Sequence, residues 1–147
     1  MDTPERIKKT DLKIILSEDG SVMHSLKGSE KDFKGFGESY FSTVNNGAIK
    51  AWKRHKKMTL NLTVPVGIVR FVFIYDLNID IDLPSNCEEY MVSSDSYVRL
   101  TVPPNIWFGF QGMSLKTNLI ANIANIEHDP DEVERKSINE IEYNWFK

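Results

Sequence analysis

The sequence predicts an all-β fold, an antiparallel sandwich or barrel, on three observations. Short extended runs rich in β-branched and aromatic residues recur along nearly the whole chain. Turn chemistry of Gly, Asn, Asp and Pro separates them at regular spacing. Only one stretch, close to the C-terminus, carries helix-start signals. About eight to ten strands and one short C-terminal helix then account for the chain.

Residues 12–16 (LKIIL) are apolar and β-branched, Glu18-Asp19-Gly20-Ser21 is turn chemistry, and residues 22–26 resume an extended pattern, which predicts a hairpin. Residues 27–34 form a charged loop. Residues 38–44 (ESYFSTV) are strand formers, and Asn45-Asn46-Gly47 is the strongest tight-turn signal in the chain. Residues 48–66 read as one long extended stretch ended by Pro65 and Gly67. The run 68–75 (IVRFVFIY) is too apolar for an alternating surface strand. Residues 76–86 are loop, 88–92 and 97–102 are strands, and Pro103-Pro104-Asn105 turns sharply before strands at 107–110 and 118–126. Asp129 can cap a helix, Pro130 suits its first position, and Glu132 falls three residues after the cap, as in a capping box. Glu132, Glu134, Arg135 and Lys136 should keep that turn at the surface.

The chain has 147 residues, 41% hydrophobic, with 8 Phe, 5 Tyr and 3 Trp. That is enough for one sizeable core and excludes wholesale disorder. No repeat or linker is visible, so one domain is expected, residues 12–147, behind an N-terminal arm, residues 1–11. A net charge of −3 argues against nucleic acid or an anionic membrane as partner. Cys87 is the single cysteine, which excludes an intramolecular disulfide and a Cys-rich zinc site. The N-terminus is polar where a secretory signal needs an apolar core, and no run is long enough to span a membrane, so a cytoplasmic location is expected.

Several motif-like stretches carry no chemistry. Asp76, Asn78 and Asp80 imitate the start of a calcium loop, but the sixth position is Ile81 and the twelfth Cys87, where Gly and Glu are required. Gly35-Phe36-Gly37 lacks the third glycine and the following helix of a dinucleotide fingerprint. His24, His55 and His128 are too dispersed for a local ligand pair, so neither a metal nor another cofactor is expected.

The most unusual local feature is basic: Lys50, Lys53, Arg54, His55, Lys56 and Lys57. On an edge strand such charges would discourage aggregation; facing a barrel interior they would bind a phosphorylated ligand. Period-2 alternation puts Ala51, Lys53, His55 and Lys57 on one face, and Trp52, Arg54, Lys56 and Met58 on the other. If the same strand continues, Asn61 and Thr63 share the His55 side, opposite Leu60, Leu62 and Val64. Asn118, Asn122 and Ala124 form a similar face late in the chain, and Tyr40 and Trp107 are among the aromatic residues that could floor a pocket.

In order along the chain, GESYFS (37–42), NNGAIKAWKRHKKMT (45–59), IYD (74–76), RLTVPPNIWFGF (99–110) and HDPDEVER (128–135) with IEYNW (141–145) resemble the dTDP-4-dehydrorhamnose 3,5-epimerase family and its relatives. The most specific pieces are VPP-x-x-x-x-GF and DP-x-x-x-ER. The resemblance implies a cupin jelly-roll barrel, a homodimer, no cofactor, and a nucleotide-diphosphate-linked 4-keto sugar as ligand in cell-surface polysaccharide biosynthesis. It implies a His base polarised by an Asp, with a Tyr acid opposite. The family's Arg-Gly-x-His pattern falls on Lys50, Ala51, Trp52 and Lys53, the Asp near Ile126 and the Tyr near Asn122. That triad is therefore expected to be missing. The related sugar 3,4-ketoisomerases carry His-x-His-Lys on the same strand, and Lys53-Arg54-His55-Lys56 keeps the second His. Two readings follow. Either His55 and Lys53 are catalytic, with Lys50, Lys57, Asn61, Asn122, Tyr40 and Trp107 binding substrate, or the barrel binds a sugar nucleotide without turning it over.

Overall fold

The computed structural model describes residues 5–146; residues 1–4 of the arm, and residue 147, lie outside the described residues. The strands are β1 (Lys8–Asp11), β2 (Ile14–Ser17), β3 (Gly20–Met23), β4 (Glu38–Thr43), β5 (Ile49–His55) and β6 (Leu60–Val66) in the first half. The second half supplies β7 (Ile68–Ile74), β8 (Cys87–Ser93), β9 (Val98–Val102), β10 (Trp107–Gly112), β11 (Leu119–Ala124) and β12 (Val133–Arg135). One five-stranded sheet runs β1-β9-β6-β11-β4, a second runs β12-β5-β10-β7-β8, and β2-β3 is a separate hairpin. All strand pairing within the sheets is antiparallel. This is the jelly-roll barrel of the cupins.

Alternation explains the core. Leu60, Leu62 and Val64 of β6, with Leu100 and Ile120, meet Phe71, Phe73 and Phe108 of the facing sheet in one buried cluster. Each such side chain contributes roughly 1.5–3 kcal/mol by leaving water. The apolar run in β7 has its explanation here. Its outer residues Val72 and Ile74 are covered by Trp52, Trp107, Ile141 and Trp145, so the C-terminal segment shields a second apolar face. The charged loop after the hairpin is strapped across the other sheet by fully buried Arg99. That guanidinium lies 2.8 Å from Glu30 and 3.0 Å from Asp32, and donates to the Ser25 carbonyl. The end of the N-terminal arm adds a strand, Lys8–Asp11, to the same sheet beside β9.

Two expectations are corrected. The short C-terminal helix is a single 3-10 turn, Pro130–Glu132; Asp129 caps it by accepting from the Asp131 N–H, but the chain then extends into β12. Pairing with β5 offers those backbone groups a ladder, which outcompetes one more helical turn. The long extended stretch is two strands in different sheets, broken at residues 56–59. The phase of alternation is therefore lost between His55 and Leu60.

Inside β5 the register with β10 also shifts. Lys53 pairs with Phe108 and Ala51 with Gly109, leaving Trp52 as the extra residue of a bulge. The bulge turns Trp52 outward and puts Lys50, which pairs with Phe110, on the same inner side as Lys53. Backbone approach is close here: a Cβ on Gly109 would lie 2.5 Å from the Ala51 Cβ. Gly109→Ala is therefore expected to destabilise the fold by about 1–3 kcal/mol, read as a lower urea midpoint.

Candidate active site

The site is built on one end of β5 and on what packs against it. His55 ends the strand, and its carbonyl accepts from the Asn105 N–H at 2.7 Å. Asn105 holds a left-handed backbone at φ 72°, the role its place after two prolines suggests. The His55 ring is buried and stacks on Phe108, centroids 6.2 Å apart. Its Nδ1 lies 2.5 Å from Glu132 Oε1. The other Glu132 oxygen accepts from the backbone N–H groups of Lys56, Lys57 and Met58 at 3.0–3.3 Å. Glu132 is only 2% exposed. The sequence expects it at the surface; the imidazole and the N–H groups of Lys57 and Met58, which the carboxylate satisfies, draw it inward instead.

Charge follows geometry. Burial pushes the His55 pKa down; the Glu132 carboxylate opposes this, Lys53 and Arg135 reinforce it, and the net lies below the ordinary 6.5. For Glu132, burial works upward but is outweighed by the hydrogen bonds from His55 and the Lys57 and Met58 backbone, so it stays ionised below its ordinary value. With Nδ1–H donating to that carboxylate, Nε2 is left as the acceptor. Nε2 is buried with no hydrogen-bond partner among the described residues.

A cleft of about 400 Å³ opens beside this pair, walled by Lys50, Lys53, Phe108, Phe110, Arg135 and Ser42. A smaller recess of about 50 Å³ continues inward past Lys53 and Phe108 to Tyr40 and Asn122. The Lys53 ammonium stands 5.8 Å from the Phe108 ring centroid. Its pKa is pushed down, first by burial and then by Arg135 and Lys50 against the pull of Glu132. Lys50 donates to the Thr43 carbonyl at 2.7 Å. Neither lysine, nor Arg135, has a carboxylate within ion-pair distance among the described residues. Across the recess, Tyr40 and Asn122 face each other in register on β4 and β11. Burial, helped by the Glu38 and Glu132 charges, outweighs the Asn122 hydrogen bond and the Arg135 charge and holds the Tyr40 hydroxyl protonated above its ordinary value. Asn122 is 2% exposed, and its amide stands against the Tyr40 hydroxyl.

Of the residues singled out in the sequence, Lys50, Lys53, Tyr40 and Asn122 meet in this cavity, and His55 lies against its Phe108 wall without itself lining it. The others do not join them. Lys57 is exposed in the turn after β5, tied through its backbone to Glu132. Asn61 faces away: the phase break puts Leu60 and Leu62 on the cavity side, while Asn61 bonds Thr101 and the Asp32 carbonyl beneath the strap. Trp107 points to the outer face, under Arg54 and Lys136, because its neighbour Phe108 points in. Ile126, where the resemblance put the Asp that polarises the base, packs against the apolar core. Glu132 and Arg135 were missed as site residues. The available signal was the DP-x-x-x-ER motif, whose strand register sets Arg135 opposite Lys53 and Glu134 opposite Arg54.

No family model matches the chain. A dTDP sugar isomerase from Desulfovibrio desulfuricans, solved by crystallography, is 33% identical, covers 96% of this chain and 91% of its own, and superposes with a TM-score of 0.85. The chain belongs to this epimerase and isomerase family. A sugar 3,4-ketoisomerase from Thermoanaerobacterium thermosaccharolyticum shares the fold at TM-score 0.71 and 17% identity, covering 92% of this chain and 93% of its own. The spore coat polysaccharide biosynthesis protein SpsL of Bacillus subtilis is 24% identical over 130 residues, 86% of this chain and 85% of its own. This chain is therefore a nucleotide-sugar epimerase- or isomerase-like protein.

The buried pair makes stability depend on pH in a defined sense. In the unfolded chain the imidazole takes up its proton near pH 6.5, whereas the fold withholds it until lower pH. Stability from this group is complete above 6.5 and lost as pH falls through that window; Glu132 adds a second loss below its ordinary 4.5. Urea midpoints should fall in those two stages, and His55→Gln should flatten the first.

Proposed function

We propose that this protein isomerises a nucleotide-diphosphate-linked 4-keto sugar by moving a proton on the carbon next to the carbonyl, with His55 as the base. The observation that carries this reading is the buried His55–Glu132 pair set beside an uncompensated cationic cleft. Glu132 fixes the imidazole's orientation and tautomer and stabilises the imidazolium that forms when Nε2 takes the proton. Lys53 is the electrophile that meets the negative charge developing on the carbonyl oxygen. Tyr40, neutral and across the recess, is placed to return a proton from the opposite side, and Asn122 to hold sugar hydroxyls. Lys50 and Arg135 suit the diphosphate.

The polysaccharide context rests on the name of the Bacillus relative. Among the described residues no helix is long and apolar enough to cross a membrane. A homodimer is supported by apolar side chains left uncovered in the monomer, Leu16 and Val22 on the hairpin and Phe41 on the outside of β4. A second reading, a sugar-nucleotide binder without turnover, is favoured by one fact: His55 is buried and lines neither hollow.

The two readings separate in deuterated water. Incubated with thymidine-diphosphate-linked 4-keto-6-deoxyglucose, the protein should exchange a ring proton beside the carbonyl. His55→Ala should lose roughly a hundredfold or more of that rate with binding retained. No exchange by the unaltered protein, with binding intact, establishes the binder. Arg135→Ala should weaken thymidine diphosphate binding by about 1.5–3 kcal/mol, measurable by titration calorimetry.

A further inference from the structure

Among the cations of this strand, Lys53 has no assigned charge partner. Arg54, on the outer face, is neutralised by Glu134 at 2.8 Å. Lys50 spends a hydrogen bond on the Thr43 carbonyl. The Lys53 side chain makes no hydrogen bond or ion pair to any described residue, and its nitrogen lies in the cleft over the Phe108 ring. Two further cations, Lys50 and Arg135, wall the same space and disfavour a third full charge there. Aromatic rings of Phe108, Phe110 and Phe71 form the apolar sides of the hollow and its recess. His55, two residues along on the same strand, touches the other partner of this arrangement, Phe108. A half-buried amine with flanking cations and an apolar wall is the environment in which lysine becomes a nucleophile toward carbonyl carbon.

We propose that Lys53 joins the keto carbon of the bound sugar as a transient imine, and that His55 moves the adjacent proton while that imine is in place. The inference rests on the nucleotide-sugar reading above, and replaces the contact to the carbonyl oxygen assigned there to Lys53 with a covalent electron sink. The neutral Lys53 amine adds to the carbonyl carbon, and a proton passes from nitrogen to the former carbonyl oxygen. The hydroxyl then takes a proton from solvent and leaves as water, so a C=N bond has replaced the C=O bond and the nitrogen carries the positive charge that proton brought. His55 Nε2 takes the proton from the neighbouring carbon, giving a neutral enamine. Return of a proton to that carbon restores the iminium, and one water hydrolyses it to ketone and free amine, giving back the proton taken from solvent. No oxidant, reductant or metal enters the balance. The iminium carries out what an oxyanion site does elsewhere, so Lys53 can stand where the resemblance expects a histidine.

The test uses the full chain with thymidine-diphosphate-linked 4-keto-6-deoxyglucose and sodium cyanoborohydride, which reduces iminium ions in preference to ketones. The expected result is a protein heavier by the sugar nucleotide less one oxygen atom, with peptide mapping placing the adduct on Lys53. Lys53→Arg keeps the charge but forms no imine. It should bind the nucleotide sugar with a similar thermal shift, give no adduct, and lose about a hundredfold or more of the proton exchange. Thermal stabilisation and exchange without any adduct, or exchange undiminished in Lys53→Arg, overturns the imine alone. No stabilisation by the nucleotide sugar overturns the ligand assignment and the imine with it.

Discussion

A single carboxylate organises the functional end of this barrel. Glu132 binds the His55 imidazole with one oxygen and three consecutive backbone N–H groups with the other. The first contact sets the tautomer of the histidine. The second closes the turn by which the chain leaves one sheet for the other. Burying a charge this deeply is costly unless its lone pairs are satisfied, and here imidazole and peptide groups satisfy them. The pair therefore welds the C-terminal segment to β5, and electrostatics and topology cannot be separated at this point.

The same segment divides charge between two faces. Strand β12 lies antiparallel to β5, so its successive residues alternate outward and inward. Glu134 goes out and cancels Arg54; Arg135 comes in beside Lys53, where no carboxylate of the described residues answers it. An acidic chain thereby keeps a local excess of positive charge in its cleft, which is the polarity a diphosphate requires.

Much of the architecture was legible because it depends on local alternation and turn chemistry. The apolar run of β7, the turn at Asn45-Asn46-Gly47 and the break after Val102 all stand where the residues suggest. The misreadings share a cause: phase. A residue at Trp52 with no partner in β10 and a turn at 56–59 each reset the alternation, so Asn61 and Lys57 do not share the face of His55 that simple alternation gives them. Glu132 was hidden because Asp129-Pro130 reads as a helix start, and nothing local reveals that a strand far earlier in the chain will capture the following residues. Arg135 was hidden for the same reason.

The bulge at Trp52 has a consequence for how this site can be transplanted. Lys50 and Lys53 are three apart, an odd spacing that an unbroken ladder would split between interior and exterior. Their cooperation exists only because one residue is skipped, with Gly109 yielding the room. Engineering a comparable anion grip into another jelly roll by copying side chains alone would leave one ammonium stranded in solvent. The irregularity itself has to be copied, along with the glycine that faces it.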